Sequence, residues 1–347
     1  MPVSDQFKEA GKPHMKAVVV ETPDVLSVKD VPDVEFDEYQ ALVRTLACSI
    51  CNGTDSKILH GTIPFLPPDI YPGILGHESV GRVVKTGSKV RNFREGDLVF
   101  RSVADVAGYS CFWGGFAEQG TVTDLKALAA DGIDAGGRQA HPGQQVIPDE
   151  VDPIEATVCI TLKEIMSYLR ALDAEAGRSL LVLGYGPVGL AAIYLGKVLG
   201  MGPVIAAGRR EEGLRLANTF GADECFNTGA DFVRSVIDAT DGGADFIVDA
   251  TGNAELVDRS AAALAEDGKM GLYAIVDLGE RQREGRNVAA VNPDESLAHD
   301  EIMRLWSSGK IQPDRFVSHA LPMSEISTGF DLIDRREAIK VVMNTGA

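Results

Sequence analysis

Two short stretches in the first half of the chain carry side chains fit for chemistry. They are Cys48-Ser-Ile-Cys-Asn-Gly-Thr-Asp55 and Gly76-His-Glu-Ser-Val-Gly81. Cysteine thiolate and histidine imidazole are the natural ligands of zinc. Taken singly, His77 is more often a surface or core histidine, and Cys51 more often a small buried hydrophobe. Their occurrence as a pair, ahead of a nucleotide-binding signature, points to a shared metal. That signature is Gly184-Tyr-Gly-Pro-Val-Gly189. It follows an apolar run, Ser179-Leu-Leu-Val-Leu183, and opens a helix-like run at Leu190. Strand, G-x-G-x-x-G, helix is the arrangement that holds a dinucleotide. Gly184 permits the tight turn, Gly186 lets backbone approach a pyrophosphate, and Gly189 lets helix pack on strand. The helix start, at Pro187 and Val188, offers free N–H groups and a positive dipole end to the phosphates.

The type of dinucleotide is read at the end of the next strand. NAD-binding chains place an acidic residue there, about 20 residues beyond the glycines, against the ribose diol. Here that place is Gly208, followed by Arg209 and Arg210. A missing carboxylate removes repulsion against a 2′-phosphate, and arginine suits phosphate through its planar, permanently charged fork. NADP(H) is the sharper reading; a solvated Arg-Arg-Glu-Glu helix start is the plainer one.

The elements that position these residues follow from patterning. The first half shows short β-branched runs, Lys16-Ala-Val-Val-Val20, Gln40-Ala-Leu-Val-Arg-Thr-Leu46, Val80-Gly-Arg-Val-Val-Lys85 and Asp97-Leu-Val-Phe100, separated by Pro, Gly and Asp. Residues 124–145 read as an inserted surface loop. From Asp152 the pattern changes, with a helix over 153–172 that Asp152 caps and Pro153 opens. Strands at 180–183, 204–207, 246–249 and 269–275 then alternate with helices at 190–199, 211–220, 232–239 and 255–265. That alternation predicts a parallel sheet covered by helices. Residues 294–306 read as helical, and a tail over 316–343 mixes strand and helix and returns to the first domain.

Composition sets outer bounds. A length of 347 residues suggests two domains. No run of about 18 apolar residues appears, so a membrane span is not expected. Residues 1–15 lack an apolar core for a signal peptide. Five cysteines in a chain of this size suit a reducing cytoplasm rather than a disulfide framework. The net charge of −18, from 51 acidic and 33 basic residues, argues against nucleic acid or an anionic membrane as partner.

Taken together, the chain resembles the medium-chain dehydrogenase/reductase family, the zinc alcohol, sorbitol and threonine dehydrogenases, over roughly residues 15–345. The resemblance is carried by Ser49-Ile-Cys-Asn-Gly-Thr-Asp55, Gly76-His-Glu-Ser-Val-Gly-Arg-Val-Val84 and Phe93-Arg-Glu-Gly-Asp-Leu-Val99. It continues through Gly114-Gly-Phe-Ala-Glu118, Ile147-Pro-Asp-Glu-Val151, the glycine loop and Ile339-Lys-Val-Val342. It implies an α/β protein, a GroES-like β-rich catalytic domain over 1–156 and 302–347 and a Rossmann doubly wound parallel-sheet domain over 157–301. By resemblance, Cys51 and His77 are catalytic zinc ligands, and Glu78 is a carboxylate that can approach the metal. Thr54 is the hydroxyl that passes the substrate proton. The third ligand falls near Cys159, with Glu155 and Glu164 as alternatives.

The chain also departs from the family. Cys-Asn-Gly-Thr-Asp holds one residue more than the family's Cys-x-Ser/Thr-Asp. Lys57 stands where a relay histidine is frequent, so it joins the candidate proton path. Only Cys111 falls in the region of the four-cysteine lobe, so no structural zinc is expected. The implied activity is zinc-assisted, NADP(H)-linked hydride transfer to or from a secondary alcohol, polyol or cyclitol. A zinc-independent reductase of an activated C=C bond and a non-catalytic NADPH-binding protein remain as alternatives. The expected partner is a small-molecule substrate in a cleft between the domains, within a cytoplasmic homodimer or homotetramer. Candidate wall elements are Thr62-Ile-Pro-Phe-Leu66, Phe112-Trp113 and residues 277–287, the last with Arg281, Arg283 and Arg286. The apolar run Lys269-Met-Gly-Leu-Tyr-Ala-Ile-Val276 reads as a final strand, either able to pair between subunits or covered at its edge by its own chain.

Overall fold

The computed structural model describes residues 14–63, 68–274, 288, 289, 291 and 293–346. The chain divides into two compact units, Met1–Thr157 with Val317–Ala347, and Val158–Phe316.

The first unit is built from short strands. In chain order they are β1 (His14–Thr22), β2 (Val25–Pro32), β3 (Gln40–Ser49), β4 (Gly73–Ile74), β5 (Glu78–Thr86), β6 (Leu98–Phe100), β7 (Ser110–Cys111), β8 (Gln119–Thr123) and β9 (Val146–Ile147). They are interrupted by the α-helices α1 (Asp55–Leu59) and α2 (Leu125–Ala130). In β3 the residues Ala41, Val43, Thr45 and Ala47 alternate inward and are buried, as a strand with one face on a core requires. A four-stranded sheet runs β2-β1-β4-β7. Residues 124–145, expected as loop, contain α2. Its cap is Asp124, whose carboxylate accepts from Ala127 N at 2.9 Å. The sequence offered only weak periodicity there, because a six-residue helix has too few turns to show one.

Helix α3 (Pro153–Ala171) carries the division between Thr157 and Val158. The second unit then alternates as the pattern predicts: β10 (Leu180–Leu183), α4 (Pro187–Val198), β11 (Val204–Gly208), α5 (Glu211–Thr219), β12 (Glu224–Asn227), α6 (Phe232–Ala239), β13 (Ala244–Asp249), α7 (Ala254–Ser260), β14 (Leu264–Leu272), β15 (Val288–Ala289) and α8 (His299–Ser307). The sheet is parallel throughout, in the order β12-β11-β10-β13-β14-β15. That is the doubly wound order of a dinucleotide-binding domain, reversing beside β10. Leu181, Leu183, Ile205 and Ile247 are fully buried in its core, because helices cover the sheet. Three expectations change or resolve. Strand β14 begins at Leu264, shortening the helix before it. β14 is not a free edge, since β15 of the same chain pairs with it through Met270 and Gly271. Helix α8, which the expected boundary at 301/302 would cut, lies whole in the second unit.

The chain returns to the first unit as β16 (Val317–Pro322), α9 (Ile326–Asp334) and β17 (Lys340–Asn344). The larger sheet of that unit is thereby completed as β16-β17-β3-β5-β6-β9, with β8 also on β3. Among the described residues, no helix is long and apolar enough to cross a membrane.

Candidate metal centre and dinucleotide loop

Strand registry in the first unit sets the candidate metal centre. β3 pairs with β5 so that Ser49 faces Glu78, and with β17 so that Ser49 faces Val342. The chain leaves β3 at Ser49 and reaches Cys51 before entering α1. Cys51 Sγ, a ring nitrogen of His77 and a carboxylate oxygen of Glu78 lie within 4.8 Å of one another. Of the two nearby cysteines, only Cys51 joins the group. Burial, with Asp55 and Glu78 close by, pushes the Cys48 thiol well above its usual range.

Asp55, at the start of α1, ties the two ligand-bearing turns together. Its Oδ2 accepts from Cys51 N at 2.9 Å, while its Oδ1 stands 3.3 Å from His77 Nδ1. Both Asp55 Oδ1 and His77 Nδ1 are buried and lack a well-formed hydrogen bond. A carboxylate behind an imidazole is the arrangement that fixes the tautomer of a metal-bound histidine. Burial alone would lower the imidazole's pKa; the charges of Asp55 and Cys51 outweigh it and hold His77 well above the usual histidine value. Arg101 Nη1 donates to His77 O at 2.7 Å, fixing the backbone. Trp113 places its ring 5.2 Å from that of His77. It does so from a left-handed backbone (φ 64°), a strained conformation for a bulky residue that the surrounding turn must enforce.

Glu78 has partners of its own. Its Oε2 accepts from Lys340 Nζ and from Ser49 Oγ. The Glu78 and Lys340 side chains are only 3% and 2% exposed. Burial works against the carboxylate, but the charges of Lys340 and His77 overcome it and hold Glu78 below the usual glutamate range. Lys340, Asp55 and Ser49 carry no role in the sequence reading, and Trp113, expected as a wall element of the substrate cleft, stands against His77. Lys340 lay within the quoted Ile339-Lys-Val-Val342 stretch, but nothing in sequence ties it to Glu78.

The remaining candidates fall as follows. Thr54 is the residue before α1, and its side chain makes no capping hydrogen bond. Lys57 lies in α1, half-buried. Cys159, the expected third ligand, is a fully buried residue of α3 in the second unit, whereas the three gathered ligand atoms all come from the first. Cys111 lies in β7, with its thiol pushed up to about 12 by burial and by Asp105. The wall residues at 64–66, and Arg281, Arg283 and Arg286, lie outside the described residues.

In the second unit the glycine loop has the form its sequence requires. Gly184 takes φ 97°, where a side chain would be strained and a Cβ would meet Thr251 Cγ2 at 2.8 Å. A Cβ on Gly189 would strike the Gly184 carbonyl oxygen, so helix and strand touch backbone to backbone. Over Gly186 a Cβ would meet no atom within 4 Å, which leaves room for a phosphate at the start of α4. Pro187 occupies the first turn of α4, where no N–H is needed. Val188 and Gly189 follow it within that first turn. Strand β11 ends at Gly208, and Arg209 and Arg210 beyond it are exposed.

Comparison with known proteins agrees with both units. Residues 37–133 match the alcohol dehydrogenase GroES-like domain, and residues 187–295 the zinc-binding dehydrogenase model. L-threonine 3-dehydrogenase of Bacillus velezensis is 26% identical, over 95% of this chain and 98% of its own. The NADP-dependent isopropanol dehydrogenase of Thermoanaerobacter brockii is 28% identical over 86% and 88%. The solved structure of alcohol dehydrogenase TADH from Thermus sp. ATN1 superposes with a TM-score of 0.79 at 27% identity, covering 95% of this chain and 99% of that one. The chain belongs to the zinc-type medium-chain alcohol dehydrogenase family. It is an oxidoreductase, and its two units are the family's GroES-like and Rossmann domains.

Proposed function

We propose that this dehydrogenase moves hydride between NADP(H) and a secondary alcohol or its ketone, with one catalytic zinc held by Cys51 and His77. The observation that carries the reading is the Cys51–His77–Glu78 group. A thiolate and an imidazole with a carboxylate behind the ring suit zinc in donor type and in support. Bound there, the ion would act as a Lewis acid on the substrate oxygen. The chain's own residues do the rest. Asp55 holds the imidazole in orientation and Arg101 fixes its backbone. Thr54 offers a hydroxyl left free of capping duty to take the substrate proton, and Lys57, three residues on along α1, hands it outward.

NADP(H) is supported by the uncharged Gly208 and the exposed Arg209 and Arg210 at the end of β11, and by the cofactor in the T. brockii relative's name. A secondary alcohol is supported by the substrates that the threonine and isopropanol enzymes are named for. One observation favours a second reading, a zinc-independent reductase on the same scaffold: Glu78 is already neutralised by Lys340.

Metal analysis with a Cys51→Ser variant separates the two. About one zinc per chain is expected in the wild type, as for a family site with three protein ligands and an open position. Both the metal and alcohol oxidation should be lost in the variant. A metal-free wild type with full activity overturns the zinc reading in favour of the reductase.

A further inference from the structure

Tyr185 occupies the first variable position of the glycine loop, and its ring does something the loop itself does not need. The ring lies between two glycines, Gly208 at the end of β11 and Gly213 in α5. A Cβ at Gly208 would come within 2.8 Å of Tyr185 Cδ1 and 2.9 Å of Cζ, with Cε1 nearer still. A Cβ at Gly213 would strike Cε2, Cδ2 and Cζ. Contacts that close are not formed by real side chains, so with the ring in this place neither position admits a Cβ. The Tyr185 hydroxyl accepts from Arg210 N at 2.7 Å, and the Arg210 guanidinium lies 5.5 Å from the ring centre. From the other side, Asn227 Nδ2 donates to Arg209 O at 2.9 Å, and Thr228 N to Gly208 O at 3.0 Å. The turn Gly208–Arg210 is thus pinned from both flanks, while Arg209 and Arg210 themselves are exposed.

We propose that Tyr185 is the positioning residue that sets dinucleotide choice. Its ring bars an acidic side chain from position 208, and its hydroxyl holds the Arg209–Arg210 turn ready for a 2′-phosphate. This rests on the NADP(H) reading and adds its physical cause. The carboxylate that selects a ribose diol would have to grow from residue 208, into the volume the ring fills. A pinned turn also loses little freedom when two long cationic side chains close on a phosphate, which is where preorganisation raises affinity.

The test uses the full chain and two fragments of the cofactor, 2′,5′-ADP and 5′-ADP, titrated by calorimetry. The wild type is expected to favour 2′,5′-ADP, and Arg209→Ala to remove that preference. Tyr185→Phe keeps the ring and loses one hydrogen bond; it is expected to weaken 2′,5′-ADP about three- to tenfold and to leave 5′-ADP nearly unchanged. Gly208→Asp is expected to abolish fragment binding alone, yet to bind 5′-ADP in a Tyr185→Ala background, where the ring no longer fills the space. Equal weakening of both fragments by Tyr185→Phe, or of neither, overturns the role of Tyr185 while the NADP(H) reading stands. So does Gly208→Asp that alone binds 2′,5′-ADP as the wild type does. A wild type without preference for 2′,5′-ADP overturns both.

Discussion

Replacing Lys340 by methionine should unbalance the first unit more than any surface change. Methionine roughly keeps the stem's volume, so the loss is of charge and of a hydrogen bond rather than of packing. Lys340 and Glu78 are both about 2% exposed, and the ammonium donates to Glu78 Oε2. Without it, the carboxylate keeps the Ser49 hydroxyl and the nearby His77, but a buried charge has lost its main counterion. Breaking a buried pair on one side costs about 3–5 kcal/mol. The His77 charge, and the option of protonating Glu78, argue for the lower end. The double variant Lys340→Met/Glu78→Gln should recover most of this, because a neutral amide beside Ser49 leaves no orphaned charge. The assay is urea unfolding of metal-free protein in a Trp306→Phe background, so that Trp113 reports the first unit alone.

The sign of the pH dependence is fixed. Glu78 is held below its ordinary value, so its stabilising share is present above the unfolded carboxyl's pKa and fades as pH falls through the folded one. The gap between wild type and Lys340→Met should therefore narrow in acid. A single variant within about 0.5 kcal/mol of wild type, the range typical of surface changes, would refute the reasoning. So would a double variant less stable than the single.

Two further outcomes follow from the same geometry. His77 is held well above its ordinary value by Asp55 and Cys51, so in the metal-free chain it carries a proton that a zinc ligand must lose. Zinc uptake should release protons into a weakly buffered solution near neutral pH, and affinity should fall as pH falls; uptake without proton release refutes this. In the second unit, Gly189→Ala would drive a methyl group into the Gly184 carbonyl. It should destabilise by about 1–3 kcal/mol, as overpacking does, and weaken dinucleotide binding. A variant with wild-type melting and wild-type NADPH titration counts against the backbone contact.

The second unit was readable because its signals are local. Short continuous apolar runs such as Leu180–Leu183 mark strands buried on both faces, and Gly184, Gly186 and Gly189 are demanded by a turn a few residues long. Where the reading missed, as at α2 and the start of β14, the element was too short or too polar to declare a period. What covers the strand at 269–276 was not legible for another reason: β15 lies beyond a stretch with no strand signal, and pairing partners are not written in a strand's own residues.

The amino-acid sequence by itself determined the kinds of atom available: a thiol at 51, an imidazole at 77, glycines where backbone must approach closely, and arginines where a carboxylate could have stood. Only the tertiary structure decided which of them meet. Ser49, Glu78 and Lys340 become neighbours because β17, β3 and β5 lie side by side, with Glu78 and Lys340 262 positions apart along the chain. Tyr185 finds Gly208 and Gly213 because a parallel sheet brings successive strand ends to one edge. Local propensity cannot encode such meetings, since strand pairing is fixed by the whole packed sheet rather than by either partner alone.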